Sequence, residues 1–285
     1  MKALIRYASM FAVAAMLAGI LAFLYLKTEA LDPTRRIAVT GALRDLKQVD
    51  AEWNVELLRS KTWLTKNYDA VTAPQSVTAK LERAIAAQAA LDTRVSEAQA
   101  QLQKTLETKI DLVDQFKAQN AITRNSVRFI PTATADLKQA AHAAGEANPA
   151  KRAQMAALSD AAEQILVETL KLDSSSDTGA VPDIRRKLSD LVVQREQYPQ
   201  SVLVPFDIYT NHVITILAQK EREEDVLGKL DGLPLVQRID ALSTSIDAVY
   251  GKADQQRETY RIAMFSYSGL LVLMLAYLAF RRRSA

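Results

Sequence analysis

The sequence predicts an all-α protein, with two stacked elongated helical bundles held between two transmembrane helices. Three observations carry that expectation. Glycine and proline number only eight each in 285 residues, too few for a chain of many tight β-turns. Apolar residues recur at helical rather than alternating spacing through the middle of the chain. An uncharged apolar run lies near each end.

The first run is Tyr7 to Leu26 and the second Ile262 to Phe280. At about 1.5 Å per residue each reaches roughly 28–30 Å, the thickness of a bilayer's hydrocarbon layer. Tyr7, Tyr25, Tyr267 and Tyr277 fall where amphipathic rings favour the membrane interface. The first run is too long for the apolar core of a cleaved signal peptide, and no small-residue cleavage site follows it. Lys2 and Arg6 precede it, and Arg281, Arg282 and Arg283 follow the second run. Basic residues concentrate on the cytoplasmic side, so both termini are expected there. The expected order is a cytoplasmic N-terminus (1–6), a first span (7–26), an outer domain (28–261), a second span (262–280) and a basic tail (281–285). In a Gram-negative cell that places the outer domain in the periplasm and the chain in the inner membrane.

The net charge of +3 arises at the membrane edges: removing Lys2, Arg6, Lys27 and the three terminal arginines leaves 30 basic against 33 acidic residues. The outer part is therefore mildly acidic, and no basic patch interleaved with aromatics points to nucleic acid. The absence of cysteine excludes disulfides, thiolate nucleophiles and Cys-bearing metal sites.

Along the outer domain, Leu43, Leu46, Val49, Trp53, Leu57 and Leu64 trace one face of a helix from Ile37 to Leu64, with Asp32-Pro33 as its break from the first span. Asn67, Asp69 and Pro74 predict a loop, and Ser76 an N-cap for the next helix. That helix is expected to continue through Val77, Leu81, Ala84, Leu91, Val95, Ala98, Leu102, Leu106, Ile110, Val113 and Phe116, with a turn at Asp92-Thr93 as the alternative to an unbroken run. Pro131 should break or kink the next helical stretch. Residues 145–152 read as a turn with Pro149 at a helix start, residues 151–171 as a helix and residues 173–183 as a loop. Shorter helices are expected at 184–196, 202–221 and 223–230, with a tight corner at 232–234. A last helix from Leu235 should run unbroken into the second span, about 47 residues or about 70 Å long.

Three stretches resemble one family. The first, at 51–71, has a Trp, then Leu-Arg, then an Asn-Tyr-Asp turn. The second, at 113–131, contains Phe116, Lys117, Asn120, Ala121, Arg124, Asn125, Ser126, Phe129 and Pro131. The third is residues 211–234, followed by Tyr260-Arg261 at the second span. Together they resemble the double all-helical ligand-binding (DAHL) domain, the periplasmic sensor region of some bacterial histidine kinases. Ala70-Val71 stands where the family often has Pro-Leu, and Thr123 where a Leu usually precedes Arg-Asn-Ser. The resemblance implies a two-pass sensor that binds a small ligand or a periplasmic binding protein. Family members continue beyond the second span into a kinase core. Here neither a phosphoacceptor histidine in a cytoplasmic helix nor an ATP-binding glycine motif is present, so the expectation is an input module working with a separately encoded histidine kinase or other cytoplasmic effector, with a truncated gene product as the alternative.

Candidate ligand-binding residues are Asn120, Arg124, Asn125 and Trp53. Asn120 and Arg124 are four apart on one helical face, and the arginine fork suits a carboxylate. The alternative is a buried polar network that fixes helix register. Trp53 lies on an apolar face, where core packing outweighs a ligand platform. His142 and His212 have no neighbours of metal-ligand type, and no metal or other cofactor is expected. The charged stretch 220–225 reads as a solvated helix face or a turn. No catalytic constellation is present and the protein is expected not to be an enzyme. Ser266, Ser268 and Gly269 would allow close helix approach and a homodimer in the membrane. A competing reading is a structural envelope scaffold like the polysaccharide chain-length regulators. Those carry a proline-rich segment near the second span, and no proline lies between Leu235 and Ala285.

Overall fold

The computed structural model describes residues 2–28, 33–86, 93–174 and 178–283. They form eight α-helices and two short 3-10 turns, with no strand among the described residues. In chain order the helices are α1 (Lys2–Lys27), α2 (Pro33–Lys61), α3 (Asp69–Ala86), α4 (Thr93–Ala147), α5 (Arg152–Ser174), α6 (Val181–Val193), α7 (Gln200–Asp231) and α8 (Leu235–Arg283). The chain divides into two compact units. Unit 1 comprises residues 1–48, 78–103 and 236–285, and unit 2 residues 49–77 and 104–235.

Several expected boundaries moved, each for a local reason. Ser76 is not an N-cap. It lies inside α3, where its Oγ donates to Ala73 O at 3.0 Å. The helix starts about two turns earlier, because Tyr68 O accepts from Val71 N and Thr72 N, and Val71 is fully buried. Buried positions Val71, Thr78 and Ile85 recur every seven residues, whereas Val77 is 40% exposed. Pro74 and Pro205 sit inside helices near their starts. Pro131 sits deep in the 55 residues of α4. Ile130, Ala133 and Leu137 around it are buried, and that packing outweighs the loss of one backbone hydrogen bond. Of the expected helix across 76–116, residues up to 86 lie in α3 and residues from 93 in α4; residues 87–92, including Leu91 and Asp92, lie outside the described residues, as do Asp32 and residues 175–177 of the expected loop.

Other expectations hold. Asn148 Oδ1 accepts from Ala150 N and Pro149 opens a 3-10 turn between α4 and α5. Gly232 ends α7 and α8 begins at Leu235, continuing for 49 residues without a break.

Unit 1 has a core of Val39, Leu43 and Leu46 from α2, Ile85 from α3, Val95 and Leu102 from α4, and Ile239, Leu242, Ile246 and Tyr250 from α8. Arg36 bonds Asp247 at 2.8 Å and lies over the Tyr250 ring, and Lys47 pairs with Asp240. In the two apolar stretches, Phe11, Met16, Phe265, Leu270 and Leu273 are each exposed by about two-thirds or more. Tyr267 Oη donates to Leu17 O at 3.1 Å, linking those stretches.

Unit 2 has two apolar clusters. One runs from Val127 through Ile130 and Leu137 on α4 to Leu158 and Ile165 on α5, Leu188 on α6, and Phe206, Val213 and Leu217 on α7. The other joins Trp53 and Leu57 of α2, Val71 of α3, Val113 and Phe116 of α4, and Val226 and Leu230 of α7. On α4 the clusters are separated by residues 117–126, and on α7 by residues 218–225. That interval is polar.

Candidate functional site

The polar layer assembles from four elements of unit 2. α4 supplies Asn120, Thr123 and Arg124. α7 supplies Lys220, Glu223 and Glu224. The end of α2 and the following turn supply Ser60, Lys61, Trp63 and Tyr68, and the end of α5 supplies Asp173. Helical spacing explains why these residues meet: 120 and 124 are four apart on α4, and 220, 223 and 224 are three and four apart on α7.

Tyr68 Oη donates to Asn120 Oδ1 at 2.7 Å, and Asn120 Nδ2 donates to Glu223 Oε1 at 3.0 Å. Asn120 thus uses both ends of its amide and fixes its own orientation. Glu223 is 2% exposed. Burial pushes its carboxyl above the usual range, opposed by the Asn120 bond and by Lys220. Lys220, equally buried, donates to Asp173 O at 3.2 Å and lies 3.6 Å from Glu224. Lys61 completes that corner at 2.8 Å from Glu224. Burial also raises Asp173, and the Lys220 and Arg124 charges pull it back. Such a layer costs desolvation energy and returns geometric specificity, since each group has few partners that suit it.

Arg124 lies at the edge of the layer. Its Nη2 donates to Ser60 O at 2.8 Å, and its guanidinium lies 5.5 Å from the Trp63 ring centroid and 5.6 Å from that of Tyr68. Ser60 O is an end carbonyl of α2, so the arginine caps that helix with charge. Trp63 itself closes α2 in the left-handed region, at φ 62. Its N–H bonds Ser60 O and the N–H of Leu64 bonds Arg59 O, the Schellman pattern that ordinarily carries glycine. A tryptophan there holds backbone strain that a glycine would avoid.

The four residues singled out from the sequence separate into three settings. Asn120 and Arg124 meet in the polar layer. Asn125 is exposed on α4 with no hydrogen bond to it among those described. Trp53 is 1% exposed, and its Nε1 donates to Val71 O at 2.8 Å. Lys109 Nζ lies 5.2 Å from its ring and bonds both Asp50 and Asn54, forming a buried ion pair with the former. Trp53 is therefore a core residue, as its apolar face implied.

The stretch 220–225 is neither a turn nor wholly solvated. It lies within α7, and Lys220 and Glu223 face the interior. The signal was present in the spacing, because Val213, Ile216, Lys220, Glu223, Val226 and Leu230 keep one helical register. Trp63, Ser60 and Asp173 carried no comparable signal, since their roles depend on where α2 and α5 stop.

The chain belongs to the DAHL domain family, whose model matches residues 31–261. This is a sensor-type family of helical domains rather than a catalytic one. Neither a curated protein nor a solved structure matches the chain significantly.

Proposed function

We propose that the protein is a membrane-anchored sensory input module of a bacterial inner membrane. Its two apolar helices cross the bilayer, both termini are cytoplasmic, and the domain between them is periplasmic. A small ligand or a loaded periplasmic binding protein favours one packing of the helices in unit 2, and the difference in affinity between packings shifts the spans. The receiver is a cytoplasmic effector, a separately encoded histidine kinase, and the working form is a homodimer. It acts by conformational coupling, not catalysis.

The observation that carries this reading is α8, which continues without a break from the matched family region into the apolar stretch. Among the described residues one helical stretch is long and apolar enough to span a bilayer, with none of that apolar window buried, and Phe11–Lys27 is a shorter apolar helix. Large exposed apolar side chains on both helices fit a lipid environment. α7 carries the buried charges of the polar layer and leads through the corner at Gly232 to α8, which suits transmission along the backbone.

The test is a crosslinking pull-down from native membranes with a tag after Ala285, alongside maleimide accessibility of single cysteines placed at Thr28 and Arg281. Recovery of a histidine kinase, with Thr28 labelled from the periplasm and Arg281 only after permeabilisation, is the expected result. Recovery of envelope-assembly proteins alone refutes the signalling role and leaves a scaffold.

A further inference from the structure

Arg124 is the one cation of the polar layer without an acidic partner among the described residues. Lys61 and Lys220 each face Glu224, and Asn120 bonds Glu223. Arg124 instead has a backbone carbonyl and two aromatic faces. Asp173 feels its charge but makes no ion pair with it. The Nε of Arg124 is buried and has no hydrogen-bond partner. Ser60, whose carbonyl accepts from Arg124 Nη2, is completely buried, and its Oγ is also unpartnered. Two donors taken out of water and left unused, on residues joined by the Arg124–Ser60 carbonyl bond, are costly, and well-packed interiors rarely keep them.

The surface next to this pair is apolar. Trp63 is 38% exposed and Leu64 76% exposed. Trp63 sits where glycine would be less strained, so its ring is held there at a cost to the backbone. Strain, unused donors and an accessible indole coincide at the end of one helix.

We propose that this is a binding site for a small carboxylate with an aromatic body: the body stacks on the accessible Trp63, and the carboxylate displaces the packing over Arg124 Nε and Ser60 Oγ to accept hydrogen bonds from both. Arg124 supplies the charge and the planar fork, and its aromatic neighbours keep it in place. Tyr68 lies against the same guanidinium and bonds Asn120, so occupancy is felt at Glu223 on α7. The proposal rests on the sensing role above and adds the chemical class of what is sensed.

The test is calorimetric titration of the full chain in lipid nanodiscs with benzoate, benzamide and acetate. Benzoate is expected to bind saturably, benzamide not to bind, and acetate to bind at least tenfold more weakly than benzoate. Arg124→Lys keeps a charge that can still reach Ser60 O but loses the fork, and Trp63→Leu removes the platform. Each should weaken benzoate at least tenfold. Equal binding of benzoate and benzamide, or unchanged binding by either variant, overturns the site. If neither variant folds, the Arg124 Nε–H resonance of the unmodified protein decides. A shift on adding benzoate supports the bond, and a static resonance refutes it. Spin labels on the two apolar helices separate this from the sensing role: benzoate bound without label movement upholds the site and refutes the coupling.

Discussion

Replacing Trp53 by alanine separates a core residue from a ligand platform by magnitude. The side chain is 1% exposed, touches the cluster of Leu57, Val71, Phe116 and Val226, and donates to Val71 O. Emptying that volume costs about 3–5 kcal/mol. The lost Nε1 bond adds about 1 kcal/mol. Lys109 loses the ring it lies against, about 0.5–1 kcal/mol more. A total of roughly 5–7 kcal/mol is a large part of the roughly 5–15 kcal/mol that holds a typical domain together. For a unit of this size about 2–4 °C is lost per kcal/mol, so a fall in Tm on the order of 10–25 °C is expected by differential scanning calorimetry. Trp53→Phe should lose only a fraction of that. A Tm within about 2 °C of the parent for Trp53→Ala would refute the packing argument, since such a shift corresponds to about 1 kcal/mol or less.

Three further outcomes concern other residues. Burial raises the Glu223 carboxyl, so the folded state is relatively most stable below the ordinary glutamate range and loses stability as pH rises through the folded value. Glu223→Gln removes that loss, so the variant's Tm relative to the parent should be higher at pH 7 than at pH 4; a relative Tm that falls with pH contradicts the sign. Pro131→Ala restores one N–H in an exposed position of α4, and a gain of about 1–3 kcal/mol in urea unfolding is expected; destabilisation would mean that the proline is required by the helix path. Lys109→Met strands buried Asp50 and should cost about 3–5 kcal/mol, whereas Lys109→Met with Asp50→Leu should recover most of it; equal losses in the single and double variants would refute a charge-pair origin.

Much of the helical architecture was legible because apolar periodicity reports burial, and burial decides these helices. α8 was readable from Leu235 through its apolar stretch, and Asn148-Pro149 announced its turn by local chemistry. Legibility failed where packing overrode local signals. Pro131 reads as a break or a kink, and the buried residues around it keep α4 from breaking. Ser76 reads as a cap, yet the burial of Val71 starts α3 earlier. In the candidate site, Asn120 and Arg124 could be paired from their spacing on one helix. Their partners Tyr68, Glu223 and Ser60 lie 52, 103 and 64 residues away in sequence, and no local pattern reports such distances. Lys220 and Glu223 were hidden by composition. Charge suggests solvent, whereas their register places them in the core.

The chain's lack of cysteine allows single labels to be placed on a native background. The most direct measurement is the distance between spin labels at Phe11 and Leu273, by pulsed electron resonance in lipid vesicles. It is made with the Arg124 site empty and with that site filled by benzoate, as judged by calorimetry. A sensory input module should shift the mean distance or redistribute its populations when the site fills, and Arg124→Lys should abolish the change. Identical distributions with the site filled would contradict coupling between unit 2 and the apolar helices.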